Sequence, residues 1–210
     1  TREQDDALTL NLYLIRHGQT EWSESGKHTG QTDLPLTNTG EIQAQQLDVI
    51  LEGIEFSAIL TSPLKRASRT CELTCLGHRG HVEPNLAEWN YGEYEGLTSD
   101  EIEKRRPEWN LFRDGALGGE SPFEVAQRAD RLITSLKTRT GNVALFSHGH
   151  FICALATRWI GLPIIEGAHL EVSTSSVSIL GYAAHHSEVP VISGWNRVIR
   201  NTTTTAKIDT

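Results

Sequence analysis

Short apolar segments that alternate with longer amphipathic ones are the feature that most constrains the fold of this chain. Strands are predicted at residues 10–15, 58–61, 143–146, 177–182 and 189–193. The runs LYLI, VALF and SVSIL are continuously or almost continuously apolar, as expected of strands that are covered on both faces. Because helical patterns lie between most of these runs, the sequence predicts an α/β fold with a mostly parallel sheet between helix layers.

The length of 210 residues fits one α/β domain, expected to cover residues 1–210 with a core at about 10–200. The polar N-terminus and the Thr-rich stretch at 202–205 are expected to be flexible. The first residues, TREQDDAL, lack the basic start and the apolar centre of a secretory signal, and no apolar run reaches the ~18 residues of a membrane span. A cytoplasmic protein that does not contact membranes is therefore expected.

The formal net charge of −8 and the pI of about 5.6 argue against electrostatic binding of nucleic acid or acidic lipid. An anionic ligand must therefore meet a local basic site. Cys71, Cys75 and Cys153 form no secreted-type disulfide framework and are expected as free, mostly buried thiols.

Three helix starts carry capping signals. Ser121, Pro122 and Glu124 supply an N-cap, a proline at the first helical position and a reciprocating carboxylate. The predicted apolar face of this helix holds Phe123, Ala126, Ala129, Ile133 and Leu136. Thr98 with Glu101 predicts a second capping box.

The third start, Ser62-Pro63, predicts a helix that runs toward Cys75 and places cations in its first two turns. A cation near a helix N-terminus is unfavourable by roughly 0.3–1 kcal/mol, and a bound phosphate would relieve this. We expect Arg66 to be functional and Lys65 and Arg69 to be solvated surface charges.

Basic residues follow three predicted strands at their carboxyl ends, where ligands bind in parallel sheets. LYLI leads to RHG, AILTS leads to the basic helix and VALFS leads to HGH. If the strands are parallel neighbours, Arg16, His17, Arg66 and His148 converge on one rim. Two guanidinium groups and a cationic histidine can bind phosphate oxygens while a neutral imidazole attacks phosphorus, so this set favours phosphoryl transfer.

Two further features belong to this hypothesis. Gly18 and Gly149 follow the histidines and are expected to give a ligand close access to the backbone. The segment LAEWNYGEYEG offers Glu88, Glu93 and Glu95 as proton donors for a leaving oxygen. The pattern alone does not choose among the three carboxylates.

Five ordered segments carry a family resemblance: LIRHGQTEW, HTGQTDLPLTNTG, TSPLKRASRT, LAEWNYGEYEG and FSHGH. Together they resemble the histidine phosphatase superfamily, also called the phosphoglycerate mutase-like family, over residues of about 10–161. The resemblance implies a three-layer α/β/α sandwich. It also implies a reaction that uses no metal and no other cofactor.

Carried over by position, the resemblance implies His17 as the phosphorylated nucleophile and Glu88 as the proton donor. Glu93 and Glu95 then become structural or loop-ordering residues. The implied phosphate pocket and substrate contacts are Arg16, Ser23, Thr29, Gly30, Arg66, His148 and Gly149.

Within the superfamily, the sequence favours a phosphatase over a mutase. Cofactor-dependent mutases carry asparagine where Ser23 stands and a longer basic insertion after the acid/base loop, whereas residues 89–114 resemble sugar bisphosphatases of the sedoheptulose-bisphosphatase type. Hydrolysis of phosphate monoesters of small metabolites, including sugar bisphosphates, is therefore expected, with a mutase as the alternative. Relatives often carry arginine where Cys153 or Ala154 stands, which leaves the shape of the substrate pocket open.

Two other classes of protein are compatible with parts of the sequence, a metal-binding protein and an inactive binding module. A metal site could involve His148 with His150, or the run Cys71, Cys75, His78 and His81, although this run is too compressed for a zinc finger, whose cysteine and histidine pairs lie about 12 residues apart. An inactive binding module would be expected to lose a core residue, and none is lost here.

His185 and His186 are expected as an exposed loop pair. The oligomeric state stays open, and a homodimer is compatible with the sequence.

Overall fold

The computed structural model of the chain describes residues 9–199. The N-terminal segment and the Thr-rich stretch at 202–205, both predicted to be flexible, lie outside the described residues. The single domain expected over 1–210 stays a prediction.

Within the described residues, six strands form one sheet in the order β3-β2-β4-β1-β5-β6. The strands are β1 Asn11–Arg16, β2 Phe56–Thr61, β3 His81–Val82, β4 Asn142–Ser147, β5 Val177–Ala183 and β6 His186–Arg197. Strands β3, β2, β4 and β1 are parallel, whereas β5 and β6 run antiparallel to their neighbours. The mostly parallel sheet is confirmed, but SVSIL in β5 was wrongly included among the parallel strands.

The reason for this error is physical. An apolar run shows that both faces of a strand are covered, but it carries no information about strand direction. The two residues of β3 were too few for a sequence pattern, and β6 extends well beyond the predicted 189–193.

Helices cover both faces of the sheet. They are α1 Glu21–Glu24, α2 Asn38–Gln46, α3 Asp48–Leu51, α4 Lys65–Glu72, α5 Ser99–Arg105, α6 Leu111–Asp114, α7 Pro122–Leu136 and α8 Gly149–Trp159. Short 3₁₀ turns lie at Gly77–Arg79, Pro84–Leu86, Gly92–Tyr94 and Ile164–His169. None of the helices in the described part of the chain is long and apolar enough to cross a membrane.

Side-chain capping sets the starts of α5 and α7, as predicted. Thr98 and Glu101 form a capping box at α5, and Ser121 and Glu124 form one at α7. The apolar face of α7 differs from the prediction, because Phe123 is 69% exposed. The residues that α7 buries are Val125, Arg128, Ala129, Leu132, Ile133 and Leu136.

The helix predicted from Ser62-Pro63 begins later than expected. Leu64 occupies the N-cap position without a side-chain cap, and α4 ends at Glu72 rather than near Cys75. The Ser62 hydroxyl accepts a hydrogen bond from the backbone N–H of Leu64 over 3.2 Å and also contacts His148. Ser62 therefore belongs to the site at the strand ends, not to the helix cap.

Two core clusters lie on the two faces of the sheet. Leu12 and Leu14 of β1 belong to the cluster that contains α7 and α8, whereas Ile15 packs in the cluster that contains α3 and α4. Successive strand residues point to opposite faces, so one strand contributes to both clusters. The result is the predicted three-layer α/β/α sandwich.

The register places the carboxyl ends of three strands together. Arg16 at the end of β1 pairs with Ser147 at the end of β4, and Thr61 at the end of β2 pairs with Phe146. Whatever follows these strands must therefore meet at one edge of the sheet.

Candidate active site

The predicted convergence of basic residues at this edge is observed. His17 follows β1 directly and His148 follows β4 directly, and their ring centroids lie 5.2 Å apart. Arg66, in the first turn of α4, reaches His148 from the neighbouring strand end. Adjacent parallel strands thus bring together residues from three distant parts of the sequence.

The imidazole of His17 is held as a neutral ring. Its Nδ1 lies 2.7 Å from the carbonyl oxygen of Gly18, an atom that can only accept, so Nδ1 carries the proton. Nε2 is left with its lone pair. Burial, together with the charges of Arg66 and Arg16, holds the pKa of His17 well below 6.5, so the ring stays unprotonated.

His148 is neutral as well, which corrects the expected cationic histidine. Arg66 donates from Nε to Nδ1 of His148 over 3.2 Å, so Nδ1 has no proton. Nε2 therefore carries the proton and donates to the hydroxyl oxygen of Ser62 over 2.7 Å. Burial and Arg66 hold the pKa of His148 well below 6.5.

Arg66 is fully buried and orders the loop opposite it. Its Nη2 donates to the carbonyl oxygens of Thr29 over 2.9 Å and Gly30 over 3.0 Å, and its Nη1 donates to that of Thr32 over 3.1 Å. Together with the bond to His148, these contacts fix the plane of the guanidinium group.

Arg16 presents a donor to the site. Its Nη1 donates to the carbonyl oxygen of Val172, whereas its Nε–H is buried and bonds to no atom of the described residues. A buried donor without a partner is costly, and an anion would satisfy it. A Cβ atom on Gly149 would lie 3.2 Å from Cζ of Arg16, so the glycine makes room for this guanidinium group.

Gly18 has a packing role rather than the predicted role of exposing the backbone to a ligand. A Cβ atom at this position would lie 2.3 Å from the carbonyl oxygen of Gly40 in α2. The backbone N–H of Gly18 donates to the hydroxyl of Thr70 over 3.0 Å. The glycine therefore allows the segment after β1 to pack directly against the backbone of a helix.

Glu88 is 5% exposed and receives three backbone hydrogen bonds. Oε1 accepts from the N–H groups of Trp89 and Phe151, each over 2.8 Å, and Oε2 accepts from that of His150 over 3.1 Å. Two of these donors belong to the first turn of α8, where the helix dipole attracts a carboxylate. Oε2 accepts only this one hydrogen bond among the described residues, and Glu88 lines the cavity.

The other two candidate carboxylates lie elsewhere. Glu95 accepts hydrogen bonds at Oε1 from the N–H groups of Gly30 over 2.8 Å and Thr32 over 2.9 Å, which is the predicted loop-ordering role. Glu93 is exposed and lines a separate surface depression beside Arg105 and Arg106. Of the three, Glu88 alone lines the cavity that contains His17.

This cavity has a volume of about 490 Å³. Its floor and walls include the site residues Arg16, His17, Ser23, Thr29, Glu88 and Gly149, together with Lys27, Ser99, Glu171 and Ser173. Arg66 and His148 are fully buried behind this lining, and Gly30 is buried with them. Ser23 shares its hydroxyl with the backbone of Thr20 in a capping box that the sequence prediction missed.

An imidazole and phenol wall beside Glu88 was also missed. The rings of His28 and His150 stack with centroids 5.7 Å apart, and the hydroxyl of Tyr91 lies 2.5 Å from Nδ1 of His150. All three side chains line the cavity. The HGH and WNY segments contained these residues, but no local spacing indicated that they would meet.

The cysteines show no arrangement for metal binding. Cys71 and Cys153 are buried as expected, whereas Cys75 is exposed, and all three are free thiols. Burial raises the pKa of both Cys71 and Cys153 to about 12, so these thiols stay protonated. Across residues 9–199, no group of three or more His, Cys, Asp or Glu side chains could hold a metal ion.

Surface charges follow the prediction for α4. Arg69 is exposed and pairs with Glu41 over 3.0 Å and Glu72 over 3.4 Å. His185 and His186 are both exposed, as expected, but only His185 lies in the turn after β5, because His186 is the first residue of β6.

The arrangement has a definite chemical capacity. The neutral imidazole of His17, the guanidinium group of Arg16 and the carboxylate of Glu88 line one cavity, and the guanidinium group of Arg66 lies buried behind it. Such a set can bind a phosphoryl group, attack it with nitrogen and exchange a proton with the leaving oxygen.

Comparison with known proteins places this geometry among phosphate-transferring enzymes. Residues 12–196 match the sequence profile of the histidine phosphatase superfamily (branch 1). An acid phosphatase of Mycobacterium tuberculosis is 40% identical over 175 residues, which are 81% of this chain and 86% of that protein. The sedoheptulose 1,7-bisphosphatase of Saccharomyces cerevisiae is 35% identical over 191 residues, which cover 75% of this chain and 70% of that protein.

A probable phosphoglycerate mutase of Escherichia fergusonii is 33% identical over 183 residues, which are 82% of this chain and 85% of that protein. Among solved structures, the product of an open reading frame of Mycobacterium tuberculosis superposes with a TM-score of 0.84 at 36% identity. That superposition covers 90% of this chain and 97% of the other.

Proposed function

The chain belongs to the histidine phosphatase superfamily (branch 1), and from this premise we propose that it hydrolyses phosphate monoesters of small metabolites through a phosphohistidine on Nε2 of His17. One observation carries the proposal: Nδ1 of His17 donates to the carbonyl oxygen of Gly18, so the lone pair lies on Nε2 of a buried neutral ring. A neutral imidazole nitrogen is a competent nucleophile toward phosphorus.

In the first step, Nε2 of His17 attacks phosphorus while the bond between phosphorus and the ester oxygen breaks. Glu88 gives its proton to the departing alkoxide from Oε2, the oxygen that accepts only one backbone hydrogen bond. The products are an alcohol, a phosphohistidine and an ionised Glu88.

In the second step, Glu88 takes a proton from water and the resulting hydroxide attacks the phosphohistidine. The bond between phosphorus and nitrogen breaks, inorganic phosphate leaves, and His17 and Glu88 return to their starting protonation states. The same carboxyl group therefore serves first as acid and then as base.

Charge on the phosphoryl group is stabilised by three groups in this proposal. Arg16 offers the buried Nε–H that bonds to no atom of the described residues, and Arg66 supplies a second guanidinium group. His148 contributes as a neutral donor rather than as a cation: its Nε2–H exchanges the hydroxyl of Ser62 for a phosphoryl oxygen when substrate binds. Donors fixed before the reaction need no reorganisation when negative charge develops.

For the substrate we propose sugar phosphates, including bisphosphates. Ser23, Thr29, Ser99 and Glu171 line the cavity, and polar side chains of this kind suit the hydroxyls of a sugar. Lys27 at the rim supplies a positive charge for a second phosphate group. One relative is named as a sedoheptulose 1,7-bisphosphatase, which fits this class.

A mutase is the alternative, since one relative is named as a probable phosphoglycerate mutase. The decisive experiment measures phosphate release and isomer formation together. The substrates are sedoheptulose and fructose bisphosphates, 2- and 3-phosphoglycerate, p-nitrophenyl phosphate and glycerol 2-phosphate. Phosphate release from a sugar phosphate without isomerisation supports the proposal, and isomerisation of phosphoglycerate without net release overturns it.

Quenching in alkaline detergent during turnover, followed by separate treatment of the protein with acid and with base, tests the intermediate. A phosphoryl group that is labile in acid, stable in base and absent from His17→Ala supports the phosphohistidine. Phosphate recovered on serine, or equal turnover by His17→Ala, overturns it. The measurements are repeated in excess EDTA, where undiminished activity is expected and complete loss would favour a metallohydrolase.

A further inference from the structure

A buried ion pair lies directly behind the loop that carries Glu88. Nε and Nη2 of Arg128 in α7 donate to Oε1 and Oε2 of Glu120 over 2.9 and 2.8 Å. The side chains are only 11% and 22% exposed. A two-point contact of this kind fixes the plane of both groups.

The guanidinium group of Arg128 also holds the chain on the N-terminal side of Glu88. Nη1 donates to the carbonyl oxygens of Asn85 over 2.9 Å and Ala87 over 2.6 Å, and Nη2 lies 3.4 Å from that of Glu88 itself. Most N–H groups of this side chain therefore donate to Glu120 or to the backbone of the residues that lead into Glu88.

Glu120 holds the chain on the other side of Glu88. Its Oε2 accepts from the backbone N–H of Asn90 over 2.9 Å. Its carbonyl oxygen accepts from the indole N–H of Trp89 over 2.8 Å, and its own N–H donates to the carbonyl oxygen of Asn90 over 2.9 Å. The ion pair therefore brackets Glu88 from both directions along the chain.

Phe151 connects this ion pair to the carboxyl group. Its ring lies under the guanidinium group of Arg128, with Cζ 4.3 Å from the ring centroid, and its backbone N–H donates to Oε1 of Glu88. Arg128 thus contacts both the loop that carries Glu88 and the helix turn that holds its carboxylate.

We propose that Arg128 and Glu120 are positioning residues that set the orientation of the Glu88 carboxyl group for proton transfer to the leaving alcohol. The inference rests on the proposed function, because it assumes that Glu88 is the acid. Lysine at position 128 keeps the charge but cannot bridge both carboxylate oxygens and the loop carbonyls. Glutamine at position 120 keeps the shape but offers a single acceptor oxygen.

Leaving-group dependence separates this role from a general structural one. p-Nitrophenolate departs readily without a proton, whereas an aliphatic alkoxide requires one. The parameter kcat/KM covers the steps up to alcohol release, so hydrolysis of the phosphohistidine, which is common to both substrates, does not enter. A misplaced acid should therefore lower kcat/KM for an alkyl phosphate and spare that for p-nitrophenyl phosphate.

The experiment compares p-nitrophenyl phosphate with the alkyl phosphate of the panel above that the wild-type enzyme cleaves fastest. Glu88→Gln provides the reference for loss of the acid. For Arg128→Lys and Glu120→Gln, we expect kcat/KM for the alkyl phosphate to fall about 10–100-fold, the scale of a displacement of up to an ångström in a reacting group. The value for p-nitrophenyl phosphate should stay near that of the wild type.

Arg158→Lys is the matched control. Arg158 in α8 donates from Nε and Nη2 to Oδ1 and Oδ2 of Asp130 over 2.9 and 3.0 Å, a similar two-point pair also anchored on α7. Arg158 contacts none of the residues around Glu88 named above, so kcat/KM for both substrates should stay at the wild-type value. Circular dichroism and thermal melting confirm folding, and the near-isosteric Glu120→Gln carries the test should Arg128→Lys fail to fold.

The outcomes distinguish the two proposals. Suppose that Glu88→Gln lowers kcat/KM for the alkyl phosphate alone. If Arg128→Lys and Glu120→Gln then lower kcat/KM equally for both substrates, or for neither, the positioning role is overturned and the proposed function stands. Equal losses on both substrates in Glu88→Gln itself overturn the acid role of Glu88, and the positioning role with it. The same selective loss in all three variants, absent from Arg158→Lys, supports the inference.

Discussion

Arg66 donates a hydrogen bond from Nε to Nδ1 of His148 over 3.2 Å. This contact fixes the tautomer of the histidine, because an arginine nitrogen cannot accept a hydrogen bond. It also means that the site gains its positive charge from guanidinium groups, while both histidines that follow the strands are neutral. One histidine can then act as a nucleophile and the other as a donor.

Replacing Arg66 with alanine is expected to lower both activity and stability. The variant removes a guanidinium group from the proposed phosphate site, so kcat should fall on the order of 10²–10³. It also leaves the carbonyl oxygens of Thr29, Gly30 and Thr32 without a buried donor, so the free energy of unfolding should fall by about 1–3 kcal/mol. Steady-state kinetics and urea denaturation measure the two effects.

Arg69→Ala provides the matched control on the same helix. Arg69 is exposed, and its ion pairs with Glu41 and Glu72 lie in solvent. Neither kcat nor the urea midpoint should change measurably. Similar behaviour of the two alanine variants would contradict the assignment of Arg66 to the site.

Gly149→Ala should separate activity from stability. The position is the first residue of α8, outside the helix interior where replacing glycine with alanine gains about 0.5–1 kcal/mol, so stability should change by less than that amount. The new Cβ atom would lie 3.2 Å from Cζ of Arg16 and push the guanidinium group away, so kcat/KM should fall about tenfold. Unchanged kcat/KM would show that the position of Arg16 is not critical.

Gly18→Ala should, in contrast, act first on stability. Its Cβ atom would meet the carbonyl oxygen of Gly40 at 2.3 Å, and a helix backbone cannot move aside cheaply. Overpacking of this kind is expected to cost about 1–3 kcal/mol of unfolding free energy. A urea midpoint equal to that of the wild type would contradict the packing role.

The pH dependence of the first chemical step should reflect the neutral state of His17. Its pKa is held well below 6.5 by burial and by Arg66 and Arg16, so the nucleophile stays unprotonated at pH values where a free histidine takes up a proton. The acid limb of kcat/KM should therefore lie below pH 6.5. The second ionisation of the substrate phosphate, near pH 6, is determined by titration and divided out. An acid limb of kcat/KM that still lies at pH 6.5 or above after this correction would contradict the prediction.

The same depressed pKa values predict that stability falls in acid. Below pH 6.5 the unfolded chain binds protons at His17 and His148, whereas the folded chain does not, so protonation favours unfolding. Each histidine should lower the free energy of unfolding by up to about 1.4 kcal/mol per pH unit, from pH 6.5 down to its pKa in the folded state.

Urea denaturation between pH 8 and pH 5 measures this dependence. Near pH 8 both histidines are almost entirely neutral in either state and should contribute almost no slope. His17→Asn should flatten the slope below pH 6.5 by the contribution of one histidine. An unchanged slope in this variant would show that His17 binds protons equally in both states.

Several features of this protein follow from local sequence alone. The capping boxes Thr98 with Glu101 and Ser121 with Glu124 formed as predicted, because their hydrogen bonds join residues three apart. The strands were located by apolar runs that match a sheet covered on both faces. The ordered segments around the strand ends indicated the family. The residues at those ends also indicated which basic side chains, namely Arg16, His17, Arg66 and His148, the fold brings together.

Tertiary structure decided how those residues work with one another. Arg66 and His148 are 82 positions apart, and Arg128 reaches the Glu88 loop from 40 positions away, so no local pattern could predict the neutral tautomer or the ion pair behind the carboxylate. The close contact of Gly18 with Gly40 likewise depends on how α2 packs after β1. Sequence periodicity reports which face of an element is buried, whereas hydrogen-bond partners, protonation states and strand direction depend on which buried faces meet.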